Sequence, residues 1–204
     1  MVDMNTPSNE YPLRIGEVIE SDTNEFTTQC YELYGAPALG SLVKAGEVNS
    51  VYGVVSYSHT SGLDPTRRPV ARGEGLASEE LVYDQNPQLN RLLTTNFRTT
   101  IVGYEVSSQI TTYLPPRPPR IHSFVMQCDN SEISTFAKSL DFISSILAAN
   151  LPQSDDVVAA FIRHACQALP EETELRAESA RRLALLLGND TRRLEGILRR
   201  IPND

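Results

Sequence analysis

The chain has 204 residues, of which 40% are hydrophobic and 22% charged, as in an ordinary globular protein of one or two domains. Its formal net charge of −8 argues against a general nucleic-acid binder, because affinity for phosphates needs positive charge. No apolar run approaches the roughly 18 to 20 residues that span a bilayer, and the polar N-terminus lacks the basic region of a signal peptide. We therefore expect a cytoplasmic protein that does not bind membranes, with a disordered lead-in at residues 1–10.

The first half of the chain alternates between turn residues and runs rich in β-branched and aromatic residues, a pattern typical of β-strands. Gly16 predicts a bulge and Gly53 a bend, while the polar pair Ser107-Ser108 predicts a hairpin. The predicted strands cover residues 15–21, 26–33, 39–44, 50–58, 99–106, 109–113 and 121–128. Together they predict a small antiparallel β-barrel domain at residues 11–128.

Between the fourth and fifth predicted strands the composition changes. Residues 61–75 contain three Gly, two Pro and three Arg, and this composition predicts a long loop. Glu79 and Glu80 follow Ser78, which predicts a short helical turn, and Asn86-Pro87 predicts the start of a second helix at residues 88–95. The barrel is therefore predicted to contain inserted short helices. The proline-rich residues 114–120 are predicted to lie outside the sheet.

The last third of the chain has helical periodicity and predicts a C-terminal helical bundle at residues 131–202, which makes the fold class α+β. We expect four helices. The first ends near Asn150, the second is capped by Ser154, the third is opened by Pro170 and the last is capped by Asp190. The apolar-poor residues 129–131 predict a domain boundary that few contacts cross.

Residue types that carry out catalysis are present only as isolated residues. The chain has no Gly-rich phosphate loop with Lys and no nucleophile elbow, and its three histidines lack the spacing of metal ligands. Cys30, Cys128 and Cys166 are far apart and odd in number, which predicts buried, reduced thiols and neither a disulfide framework nor a zinc site. We therefore expect no catalytic residue, no metal and no cofactor.

The distribution of arginines is the feature that most suggests a binding site. Residues 60–123 carry seven Arg against six acids, whereas the segments on either side are acidic. Arginine suits bidentate recognition of carboxylates. We therefore take Arg67, Arg68 and Arg72 as candidate partner-binding residues and add Arg117 and Arg120 of the proline-rich segment. Two alternatives stay open: a solvated loop, or internal pairing with acids of the first strands, namely Glu17, Glu20 and Glu32.

The N-terminal strands resemble a known family. IGEVIES, EFTTQCYEL and GSLVKAGEVNSVYGVVS resemble the HAS barrel, the small β-barrel shared by HerA-type DNA translocases and the N-terminal crown of rotary ATP synthase subunits. RRPVARG followed by the NPQL helix looks like uncharacterised proteins that carry this barrel without a motor. The resemblance covers residues 13–127 and implies a barrel that assembles rings or docks partners and holds no catalytic residues.

These observations predict a non-enzymatic interaction or assembly module with a protein partner. The alternative is an accessory factor in nucleic-acid processing that touches DNA or a nuclease through the arginine loop, although the net charge disfavours nucleic acid. A hydrolase of unrecognised type is the least favoured interpretation. The sequence leaves open whether the protein forms a homo-oligomer.

Overall fold

The computed structural model describes residues 13–149, 152–169 and 172–201, and in these residues the chain is α+β. The predicted lead-in at residues 1–10, the predicted helix end at Asn150 and the predicted helix start at Pro170 lie outside them. The strands are β1 (Arg14–Ser21), β2 (Glu25–Cys30), β3 (Leu42–Ala45), β4 (Val51–Gly62), β5 (Leu93–Val106), β6 (Gln109–Thr111) and β7 (Phe124–Gln127). The helices are α1 (Glu80–Gln85), α2 (Leu89–Leu92), α3 (Asn130–Ser139), α4 (Ile143–Ala148), α5 (Ser154–Ala168), α6 (Glu172–Leu187) and α7 (Thr191–Leu198).

The strands form one antiparallel sheet in the order β2-β1-β7-β3-β4-β5-β6. Strand β2 also pairs with β5, so that six strands form a closed ring of pairings and β6 lies outside it as an addition to β5. The sheet is therefore barrel-like. The hairpin predicted at Ser107-Ser108 is present, and both residues have positive φ, of 52° and 62°, as a tight turn between twisted strands requires.

The first half of β4 is buried on both faces because its side chains alternate between two apolar clusters. Val51 and Val55 point into the ring, where they join the inner cluster of Val18, Phe26, Cys30, Val43, Ala45, Phe97, Ile101 and Val125. Tyr52 and Val54 point outward and join a second cluster with the helices. We call this second cluster the seam; from the sheet it contains Leu42, Tyr52, Val54 and Val102, and from the helices it contains Phe136, Phe142, Ile143, Val157, Phe161, Leu183 and Ile197.

The apolar packing of the seam contradicts the prediction of a sparse boundary between sheet and helices. We expected few contacts to cross near residue 130, yet sheet and helices share this large apolar cluster. Gly40 approaches α5 so closely that a Cβ there would lie 2.5 Å from the Cβ of Ala160. The side chain of Gln153 donates to the carbonyl of Ser56 at 3.0 Å. The division into two domains stays a prediction, but the two parts are joined by extensive packing.

The C-terminal helices differ from the prediction in two places. The periodicity from residue 131 to 150 predicted one helix, but Leu140 has φ 51° and separates α3 from α4. Asp129 begins α3 with a capping box in which its carboxylate accepts from the backbone of Glu132. Ser154 lies inside α5, whose N-cap is Gln153, whereas Asp190 caps α7 as predicted. The described residues therefore contain five helices after the sheet.

Candidate functional site

Strands β4 and β5 extend beyond the rest of the sheet. Strand β2 pairs with β5 only as far as Asn96, whereas β4 and β5 stay paired to Gly62 and Leu93. The helix predicted at residues 88–95 is therefore shorter than expected, because Leu93–Thr95 belong to β5. The result is a two-stranded ribbon that carries residues 63–92, which we call the insertion.

The insertion is ordered without a core of its own. None of the residues from 63 to 92, all of which the structure describes, has a buried side chain. Leu63, Val70 and Leu92 are exposed by 58%, 76% and 52%. Long ordered loops in compact domains are usually functional, and apolar side chains held in solvent are unfavourable unless something covers them. The insertion therefore has the properties of a surface that another molecule could cover.

One contact closes the insertion and another attaches it to the rest of the molecule. The backbone N–H of Leu63 donates to the carbonyl of Leu92 at 2.8 Å and closes the base of the insertion. At the side, the ring of Tyr83 in α1 meets the ring of Tyr34 edge-on, with centroids 6.3 Å apart, and their hydroxyls are hydrogen-bonded. Tyr34 has φ 64° and follows β2 in the chain. These contacts fix the position of the insertion without burying it.

The exposed apolar residues and the loop arginines line one groove of about 380 Å³. Its cationic residues are Arg67, Arg68 and Arg72, and its apolar residues include Leu63, Val70 and Leu92. The single acid that lines it is Asp64. The sequence identified the arginines, but the apolar half of the groove was missed. Its only signal was the presence of aliphatic residues within a stretch rich in Gly, Pro and Arg.

The loop arginines are weakly engaged. Arg67 Nε lies 3.5 Å from Asp64 Oδ2, and both side chains are exposed. The backbone and hydroxyl of Thr66 also donate to Asp64, and these hydrogen bonds hold the pKa of Asp64 below its usual value. Arg72 donates to the neutral Oδ1 of Asn86 at 3.1 Å. Within the described part of the chain, no ion pair joins Arg68 to an acid.

Glu17, one of the acids of the first strands, is engaged by other partners. Glu17 accepts from the hydroxyl of Tyr31 and contacts His122 Nδ1, both at 2.8 Å, and these interactions lower the pKa of Glu17. Glu20 accepts only a long hydrogen bond from Thr27. In the described residues no ion pair joins an arginine of the groove to Glu17, Glu20 or Glu32. The groove arginines project from the sheet and do not fold back onto its acids.

Arg117 and Arg120 do not belong to the same surface. They line a separate depression with the prolines of residues 115–119. Residues of the turn before Val51 and of the end of β5 at Val106 also line it. This depression lies at one end of the β4–β5 pair, and the insertion lies at the other. With 12 residues in β4 and about 3.3 Å per residue, roughly 35 Å of strand separates the two. The five arginines therefore line two separate surfaces, and a partner-binding role for Arg117 and Arg120 stays a prediction.

A polar cluster at the edge of the seam was not predicted from the sequence. Glu132 Oε1 accepts from Lys44 Nζ at 2.6 Å and from the Tyr52 hydroxyl at 2.9 Å, while its Oε2 accepts from the backbone of Asp129. Burial lowers the pKa of Lys44, but its hydrogen bond and attraction to Glu132 outweigh this and raise the pKa overall. Burial and then Glu132 raise the pKa of Tyr52 as well. These contacts tie β3 and β4 to α3.

The histidines and cysteines make structural contacts. His59 stacks on Tyr57, and His164 Nε2 lies 3.0 Å from the carbonyl oxygen of Leu39 in the loop that packs on α5. All three cysteines are buried and free, and burial raises the pKa of Cys30 to about 11 and that of Cys128 well above its usual value. Thiols in such surroundings are poor nucleophiles at neutral pH.

No protein-family model matches the chain, and no curated protein matches it significantly. In the described part of the chain, no group of three or more His, Cys, Asp or Glu side chains is arranged to hold a metal ion. The helices that the structure describes include none with the length and apolar character needed to cross a membrane.

Proposed function

We propose that this protein is a non-enzymatic interaction module that binds a protein partner through the insertion. One observation carries the proposal: residues 63–92 are ordered, bury no side chain, and present three exposed aliphatic side chains beside three weakly engaged arginines in one groove. Exposed apolar surface next to arginine is the composition that protein interfaces favour. The sheet and the seam supply a rigid platform for this surface.

The proposal is compatible with the resemblance to the HAS barrel. In that family the barrel docks partners or assembles rings, and the closed ring of six strand pairings supports membership. We also propose that residues 11–128 form this domain. The alternative, an accessory factor in nucleic-acid processing, would use the same arginines. It is less favoured because apolar side chains also line the groove and the whole chain carries a net charge of −8.

A photo-crosslinking amino acid at position 70 tests the proposal in extracts of cells that make the protein naturally. Position 185 is the matched control, because Leu185 on α6 is 78% exposed and Val70 is 76% exposed. We expect crosslinks from position 70 to one dominant protein, and none to that protein from position 185. Identical crosslinks from both positions, or none from position 70, would overturn the proposal.

A further inference from the structure

We propose that the groove of the insertion binds an acidic protein segment that carries an aliphatic anchor, so that carboxylates meet the arginines while the anchor covers the apolar side chains. This inference rests on the proposed function and specifies the chemistry of the partner. It follows from the two halves of the groove, which require different properties of the same ligand.

The cationic half of the groove is available to an outside carboxylate. Arg72 has a neutral partner in Asn86, and the contact of Arg67 with Asp64 is long and exposed. Asp64 is itself engaged by both the backbone and the hydroxyl of Thr66. Three arginines against one acid leave the groove with an excess of positive charge. Guanidinium groups bind carboxylates in bidentate fashion, which makes an acidic side chain the complementary group.

The apolar half of the groove requires more than charge. Leu63, Val70 and Leu92 are each more than half exposed, and Leu89 and Leu93 line the groove beside them. A ligand with charge alone would leave this surface in water. Covering it with an aliphatic side chain removes apolar area from water, which favours binding. The ligand is therefore both acidic and aliphatic.

The net negative charge of the molecule favours a short acidic peptide over extended polyanions. The net charge of −8 repels extended polyanions such as DNA and anionic membranes, which must approach a large area of the protein. A short peptide contacts the groove alone. An acidic protein segment therefore fits the local excess of positive charge without meeting the acids of the first strands.

Fluorescence anisotropy with labelled peptide pools tests the inference on the full chain. The first pool contains random peptides of Glu, Asp, Leu, Ile and Val. In the second pool Gln and Asn replace the acids, and in the third Ser replaces the aliphatic residues. Single-stranded DNA and vesicles of anionic phospholipid are the remaining probes. We expect binding of the first pool, at least about tenfold weaker binding of the second and third, and weakening of the first by salt.

Variants assign the binding to the groove. The triple change Arg67→Gln, Arg68→Gln and Arg72→Gln should weaken binding of the first pool at least about tenfold, as should Val70→Ser combined with Leu63→Ser. The matched control for the arginines is Arg181→Gln, Arg192→Gln and Arg199→Gln, which removes the same charge from exposed positions on the helices. The control for the apolar change is Leu185→Ser. Both controls should bind like the unchanged protein, and circular dichroism verifies that every variant is folded.

The outcomes distinguish this inference from the proposed function. Equal binding of the first two pools, or binding that the control triple weakens as much, would overturn the inference. Preference for single-stranded DNA or for vesicles would overturn it as well. If crosslinks from position 70 identify a partner but no pool binds, the proposed function stands and the acidic-aliphatic chemistry is wrong. If position 70 gives no crosslink, the proposed function itself fails.

Discussion

The seam and the insertion use similar residues for opposite purposes. In the seam, aliphatic and aromatic side chains from sheet and helices are buried together, and Gly40 lets the backbone approach α5 closely. In the insertion, aliphatic side chains remain exposed although the backbone is ordered. Burial of apolar area is the main source of folding stability, so the seam should determine stability and the insertion should contribute little. Substitutions in the seam should therefore affect folding, and substitutions in the insertion should affect binding.

The largest expected effect comes from truncating an aromatic side chain in the seam. Phe161 is buried and meets the ring of Phe142 edge-on, with centroids 4.9 Å apart. Phe161→Ala should lower the free energy of unfolding by about 3 to 5 kcal/mol, because it removes buried area and leaves a cavity. Val70→Ala in the insertion should change it by less than about 0.5 kcal/mol. Urea denaturation measures both, and similar losses would contradict the comparison.

Two glycines with similar positive φ sharpen the comparison. Gly40 has φ 83° and Gly75 in the insertion has φ 78°, but a Cβ at Gly40 would lie 2.5 Å from Ala160 whereas a Cβ at Gly75 would meet nothing within 4 Å. Gly75→Ala should therefore lower the free energy of unfolding by about 1 kcal/mol, which is the cost of holding a residue with a Cβ in the left-handed conformation. Gly40→Ala adds overpacking and should cost about 3 kcal/mol in total. Equal losses in thermal or urea unfolding would show that Gly40 is not tightly packed.

A smaller loss is expected at the polar edge of the seam. Glu132→Gln leaves the charge of Lys44 half-buried without its partner and should lower the free energy of unfolding by about 1 to 3 kcal/mol. The control is Glu195→Gln, which breaks an exposed pair with Arg199 at 3.5 Å and should cost less than about 0.5 kcal/mol. If the two changes cost the same, the cluster of Lys44, Tyr52 and Glu132 does not stabilise the seam.

The cluster of Lys44, Tyr52 and Glu132 also predicts that the stability of the protein falls at alkaline pH. The pKa of Lys44 and that of Tyr52 are raised in the folded state above their ordinary values of 10.5 and 10.0. Their contribution is therefore complete below about pH 10 and is lost as pH rises through the folded values. Urea midpoints between pH 8 and pH 11 should fall more steeply for the unchanged protein than for Glu132→Gln. If the urea midpoints of the two proteins fall in parallel, the contacts with Glu132 are not the source of the pH dependence.

The smallest effect on stability is expected for the groove arginines. Exposed ion pairs contribute about 0 to 1 kcal/mol, and only Arg67 of the three has an acidic partner within the described part of the chain. Changing Arg67, Arg68 and Arg72 together to Ala should leave the melting temperature nearly unchanged and abolish the crosslink from position 70. A variant that melts many degrees lower, yet still crosslinks to the partner, would show that these arginines are structural.

The sequence predicted local structure better than it predicted packing. Ser107-Ser108 and the cap at Asp190 were recognisable because turn and cap preferences depend on a few neighbouring residues. The break at Leu140 was not, since apolar spacing continues through it without Gly or Pro. Leu140 is buried in the seam, and this tertiary packing overrides the local preference for a continuous helix.

The candidate site was predictable only in part for the same reason. Arg67, Arg68 and Arg72 are neighbours in the chain, so their proximity could be inferred. The distance from Arg120 depends on the register of β4 with β5, which no local pattern specifies. Leu92 lies in α2, within the helix predicted at residues 88–95, but no local pattern specifies that its side chain is exposed in the groove.

Removal of the insertion separates its role in binding from the role of the seam in stability. Gly62 and Leu93 are paired across the ribbon, so a two-residue Asn-Gly turn can replace residues 63–92 without disturbing the register. Urea unfolding and crosslinking from a probe at Tyr57, near the base of the ribbon, are then measured on the same variant. We predict a free energy of unfolding within about 1 kcal/mol of the unchanged protein and complete loss of partner crosslinking. A variant that unfolds, or one that still captures the partner, would contradict the account.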